Sequence, residues 1–115
     1  MRLLTYNIHK GIGGRDRRYR LERVIEVIAT ERPDVVCLQE VDRHVRRSRF
    51  DDQPHLLAEG LGLSHLTYQP THLLKQGCYG NLILSRWPLF EHHHISLRLK
   101  RKKQRGAQLR ADQCA

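Results

Sequence analysis

RLLTYNIHKG (residues 2–11) and DVVCLQEVD (residues 34–42), with one helical period between them, decide how this chain folds. In the first stretch Leu3, Leu4, Tyr6 and Ile8 form a short apolar run closed by Gly11, Gly13 and Gly14, which predicts a buried strand over 2–9 and then a loop. Leu21, Val24, Ile25 and Ile28 then recur at i, i+3, i+4 and i+7, while Arg20, Glu22, Arg23 and Glu26 fill the other face, the pattern of a surface helix. Pro33 pushes its predecessor out of the helical region, and Val35, Val36, Cys37 and Leu38 follow as a second buried strand.

A crossover through a helix returns the chain parallel to its first strand, so the carboxyl ends of both strands share one edge. Asn7 and Glu40 sit at those ends, where open α/β sheets bind ligands. By pattern alone Asn7 is an ordinary polar residue at a strand end. Glu40 follows five residues that read as buried, where a carboxylate without a partner is costly. An amide and an acid converging on one oxygen-rich point suit a hard cation such as Mg²⁺, which needs only one or two carboxylates beside water and phosphate.

TYNIHKG (5–11), LQEVD (38–42) and YGNLILSRWP (79–88), in that order and spacing, resemble the endonuclease/exonuclease/phosphatase family of metal-dependent phosphohydrolases over residues 1 to about 100. The resemblance implies a four-layer α/β sandwich, Mg²⁺ or Mn²⁺, and cleavage of phosphoester bonds. It implies Glu40 as the metal-binding carboxylate, Asn7 as the amide beside the metal, both of them catalytic, and Asn81 as a polar group near the substrate phosphate. His9, close to Asn7, is expected to line the same cleft on the substrate side.

Three further motifs that the resemblance implies have no counterpart in the sequence: a strand ending Asn-Thr-His-Leu, a Gly-Asp-Phe-Asn motif whose Asp orients the attacking water, and a late Ser-Asp-His whose His contacts the phosphoryl group. Thr71, His72 and Leu73 spell part of the first, but they precede YGN and fall in QPTHLLKQG (69–77), which reads as a Pro- and Gly-bounded loop. The expectation is the amino-terminal half of the sandwich, an incomplete mixed sheet flanked by helices over 1–105, then an irregular tail over 106–115 left by an early stop or a frame change. Such a chain is expected to be inactive alone, because members of a catalytic unit act together.

Asp52, Gln53 and Pro54 predict a helix start, and Leu56, Leu57, Ala58 and Leu61 a short helix ended by Gly60 or Gly62. Strands are expected over 63–69, 82–84 and 89–99, with a hairpin between the first two carrying Asn81 to the edge that holds Asn7 and Glu40. The glycines of GIGG (11–14) lack the third glycine of a dinucleotide fingerprint and read as a turn. Of His92, His93 and His94, only His92 and His94 would share a strand face, too few ligands for a zinc site.

Cys37, Cys78 and Cys114 show no C-x-x-C spacing, which predicts reduced thiols and, with no apolar stretch near the ~20 residues of a membrane span, a cytoplasmic protein without a transmembrane segment. The net charge is +9, and the run RLKRKKQRG (98–106) supplies six of the 21 Lys and Arg, leaving the rest only mildly basic. That run would attract phosphate backbones or anionic lipid by counterion release. Two functions are consistent with these features: the amino-terminal part of a divalent-metal phosphohydrolase with a phosphoester substrate, or a non-catalytic module that binds nucleic acid or anionic phospholipid through residues 98–105.

Overall fold

The computed structural model describes residues 1–88. The expected strand over 89–99, the three histidines, the basic run and the tail lie outside the described residues.

β1 (Leu3–Asn7), α1 (Leu21–Thr30) and β2 (Val35–Arg43) form the strand–helix–strand unit, with β1 and β2 parallel and Asn7 in register with Gln39. α2 (Gln53–Leu61) leads into a hairpin of β3 (His65–Leu73) and β4 (Cys78–Ser85), and the sheet runs β1-β2-β4-β3. It is a mixed α/β sheet, because β4 returns antiparallel to β2.

The helices form where the periodicity requires. Leu21, Val24 and Ile28 of α1 are buried against Val36, Leu38, Leu82 and Leu84 of the sheet, with Leu57 of α2 and Leu63 completing the core. Each fully buried Leu or Ile there contributes about 1.5–3 kcal/mol over an exposed one. Asp52 caps α2 by accepting the His55 N–H, and Gly62, at φ 68°, closes its last turn in the left-handed region. Gly60 lets the helices touch, since a Cβ there would stand 2.8 Å from Ile25 Cδ1.

Two irregularities break the regular ladder of the sheet. Leu38 pairs with Leu82 and Val41 with Gly80, so Gln39 and Glu40 of β2 stand against Asn81 alone. The extra residue is a β-bulge, and it shifts the alternation by one: Val36 and Leu38 face the core before it, Val41 after it. Thr71 is a second extra residue, between the pairs Pro70–Gly80 and His72–Tyr79. Gly80 is opposed on both sides, and a Cβ there would collide with the Gln69 carbonyl oxygen. The glycine of the YGN motif is thus demanded by backbone approach.

The expectation of a loop at QPTHLLKQG does not hold. β3 runs through Pro70, Thr71, His72 and Leu73, because the bulge at Thr71 absorbs the proline beside a ladder position that needs no N–H. Of the cysteines, Cys37 is a free thiol on β2.

Candidate functional site

Glu40 is the second residue of the β2 bulge, and its backbone lies in the left-handed region at φ 57°. For a residue with a Cβ this costs about 1–2 kcal/mol. Its neighbours hold it there. Asn7 Nδ2 donates to Glu40 Oε2 at 3.0 Å, and the His9 backbone N–H donates to Asn7 Oδ1 at 2.9 Å. The second bond fixes the amide's orientation: an N–H can only donate to the oxygen, so the Asn7 nitrogen must face the carboxylate. Lys10 Nζ approaches Oε1 at 3.2 Å, with His9 Nδ1 at 3.7 Å. The Asn7 amide, then the Lys10 and His9 charges, hold the Glu40 carboxyl below the ordinary glutamate range, against the opposing effect of burial.

Asn81 is buried on β4 directly opposite the bulge, so the hairpin does bring it to Glu40. Its other neighbour across the sheet is Gln69 of β3. All four residues singled out from the sequence, Asn7, His9, Glu40 and Asn81, thus gather at one place. His9 is the most exposed of the first three, on the short 3₁₀ turn His9–Gly11 that follows β1.

Several residues of the same edge escaped the sequence reading. Asp42 is fully buried and receives both Nε (2.9 Å) and Nη2 (2.8 Å) of Arg47. The Tyr79 ring lies 5.3 Å from the Arg47 guanidinium, 5.9 Å from Lys10 Nζ and 5.0 Å from the His72 ring. Gln53 is fully buried; its oxygen accepts the Asp42 N–H at 2.7 Å and its nitrogen donates to the Lys10 carbonyl at 2.9 Å. The first residue of α2 thereby ties the end of β2 to the turn after β1. The signals were present in part, since Asp42 sits in LQEVD and Tyr79 in YGN, but Arg47 and Gln53 carry no spacing that marks them.

Among the described residues no three His, Cys, Asp or Glu side chains cluster as a ready-made metal cage, and no helix is long and apolar enough to cross a membrane. The arrangement instead offers one carboxylate, oriented by an amide and paired with a lysine.

The chain matches the model of the Endonuclease/Exonuclease/phosphatase family over residues 4–114. Among curated proteins, Uncharacterized protein YbhP of Escherichia coli (strain K12) is 30% identical over 112 residues, which cover 91% of this chain and 44% of that protein, and YbhP of Shigella flexneri matches to the same extent. The chain therefore spans less than half the length of these relatives. Among solved structures, the crystal structure of endonuclease/exonuclease/phosphatase from Beutenbergia cavernae DSM 12333 has a TM-score of 0.65 and 31% identity, over 76% of this chain and 26% of that one.

Proposed function

Because the chain belongs to the endonuclease/exonuclease/phosphatase family, we propose that it carries the metal-anchoring edge of a divalent-metal-dependent phosphoester hydrolase. The observation that carries this reading is the Glu40 carboxylate, held 3.0 Å from Asn7 on a strained bulge that only a surrounding structure can sustain.

Glu40 would hold Mg²⁺ or Mn²⁺. The donor chemistry fits such an ion, since a single carboxylate leaves the remaining positions to water and substrate phosphate. When bound, the ion polarises a phosphoryl oxygen and offsets charge that develops on it. Asn7 keeps the carboxylate aimed, and the His9 N–H keeps Asn7 aimed. Lys10 balances Oε1 and would compete with a divalent ion for that oxygen. Asn81 and the His9 ring would meet the substrate phosphate as hydrogen-bond donors.

The same reading holds that these 115 residues alone do not turn over phosphodiesters, because the water-orienting Asp and the phosphoryl-contacting His have no counterpart in the sequence. The test is thermal unfolding with Mg²⁺ or Mn²⁺. Either ion should raise the midpoint of the parent chain and leave Glu40→Ala and Glu40→Gln unmoved. An equal rise in parent and Glu40→Ala would remove the anchor from Glu40. A metal-dependent rate on a generic diester, abolished by Glu40→Ala, would overturn the claim of inactivity.

A further inference from the structure

The two loops at this edge, residues 8–20 after β1 and 44–52 after β2, carry eight of the 21 Lys and Arg against three Asp. They are far apart in sequence and meet in space around a groove of about 760 Å³, where Arg18, Tyr19, Arg20 and Glu22 face Arg49 and Asp51. Other arginines nearby close on acids: Arg23 on Asp16, Arg47 on Asp42 and Arg43 on Asp52. Arg18, Arg20 and Arg49 are exposed and form no ion pair among the described residues.

The two acids of the groove offset them only in part. Asp51, which accepts the Tyr19 hydroxyl at 2.8 Å, and exposed Glu22 supply two carboxylates against three guanidinium groups, so the groove keeps a net positive charge. Arg49 lies 5.9 Å from the Tyr19 ring centroid, so Tyr19 floors the groove beneath a cation. Burial, and the Asp51 carboxylate after it, push the Tyr19 phenol up, so it stays a neutral donor. The groove is coupled to the carboxylate edge through Gln53, whose nitrogen reaches both the Tyr19 hydroxyl at 3.4 Å and the Lys10 carbonyl at 2.9 Å.

Guanidinium forks match phosphate oxygens in pairs, and a concave row of them follows a phosphate backbone as a flat surface cannot. We infer that the groove of Arg18, Arg20 and Arg49 docks the phosphodiester backbone of a nucleic acid strand whose path leads to Glu40. This deepens the hydrolase reading by naming its substrate class, and it rests on that reading for the direction of the strand. The proposed site uses no residue of the basic run at 98–105.

The test uses the full chain and a fluorescein-labelled single strand of about 12 nucleotides, with binding followed by anisotropy in chelator between about 50 and 200 mM salt. The triple replacement Arg18→Gln, Arg20→Gln, Arg49→Gln should weaken binding at least ~10-fold and flatten the log–log salt slope by about 2, since each phosphate contact on a single strand adds about 0.7. The matching triple Arg→Lys variant should retain most of the slope and lose part of the affinity, because charge survives and the fork does not. Parent-like binding by the Gln variant overturns the proposal, as does complete loss of binding on neutralising 98–105 alone. Capture by anionic phosphatidylglycerol vesicles that depends on the three arginines, with no such dependence for the oligonucleotide, also overturns it. Should the Gln triple fail to fold, the three single Arg→Lys variants carry the same comparison. With chelator present, failure here leaves the metal response of Glu40 untouched, and failure of that response leaves this binding untouched.

Discussion

The two ends of the sheet are built by different rules. Where β1 and β2 begin, charges close on one another: Arg2 on Glu31 at 3.2 Å, Arg86 on Asp34 at 2.9 Å, and the Arg2 N–H on Asp34 at 2.8 Å. Where the same strands finish, arginines outnumber acids and the backbone is contorted. Among the described residues eight non-glycine residues have positive φ: seven lie at the finishing end (His9, Lys10, Arg17, Glu40, His44, Arg49 and Phe50) and one, Arg32, at the other. One end is electrostatically closed and relaxed, the other open and strained. Strain concentrated at one edge marks the place where geometry has been kept for something other than stability.

The contrast breaks most readily at the Arg47–Asp42 pair, whose acid is buried and whose arginine reaches the surface. Arg47→Ala should strand the fully buried Asp42 carboxylate and destabilise the fold by about 3 kcal/mol, read from the urea midpoint. If the midpoint does not move, Asp42 is reached by water and the edge is open to solvent.

Next is Asn7→Ala, which should weaken the metal response at Glu40 by roughly tenfold or more, the usual effect of losing a partner that orients a ligand. The pH dependence sharpens it. Glu40 is depressed in the folded chain, so its contribution is fully present above the unfolded carboxyl value and disappears as pH falls through the lower folded one. Asn7→Ala should therefore cost stability at neutral pH and nothing in strong acid, where both forms are protonated. A carbon-detected titration of the Glu40 carboxyl should show its midpoint rising toward the ordinary glutamate value in the variant, and an unshifted midpoint would remove Asn7 as the cause.

Glu40→Gly tests the strain itself. It should raise the unfolding free energy by about 0.5–1 kcal/mol, since glycine adopts the bulge conformation freely, while it eliminates the metal response. A destabilised Glu40→Gly would mean that the Asn7 and Lys10 contacts outweigh the backbone cost. The smallest effect belongs to the closed end: Arg2→Ala and Arg86→Ala should leave the midpoint unchanged within error, because exposed pairs contribute little and are screened by salt.

Much of the frame was legible from periodicity and punctuation. The 3.6-residue spacing of Leu21, Val24 and Ile28 located α1, and Asp52, Pro54 and Gly62 bracketed α2. The parallel β1–β2 pair brought Asn7 to Glu40. What stayed hidden depends on contacts between distant segments. Pro70 looked like a strand breaker because nothing local announces the bulge at Thr71. Glutamate is not a residue that signals a left-handed backbone, so the bulge at Glu40 was invisible as well. The chain outside 98–105 read as mildly basic because its arginines are interspersed with acids along the sequence; the structure sorts them, pairing some and grouping Arg18, Arg20 and Arg49 with no ion pair among the described residues.

The extra residue between Leu38 and Val41 is dispensable to the ladder. Remove either Gln39 or Glu40 and the one left would stand opposite Asn81, so that Val36, Leu38 and Val41 would fall on one face by plain alternation and keep their partners on β4. The frame of the sheet does not need the surplus residue; what it adds is an acid lifted out of the ladder beside Asn7. A deletion there would erase chemistry and leave the scaffold standing.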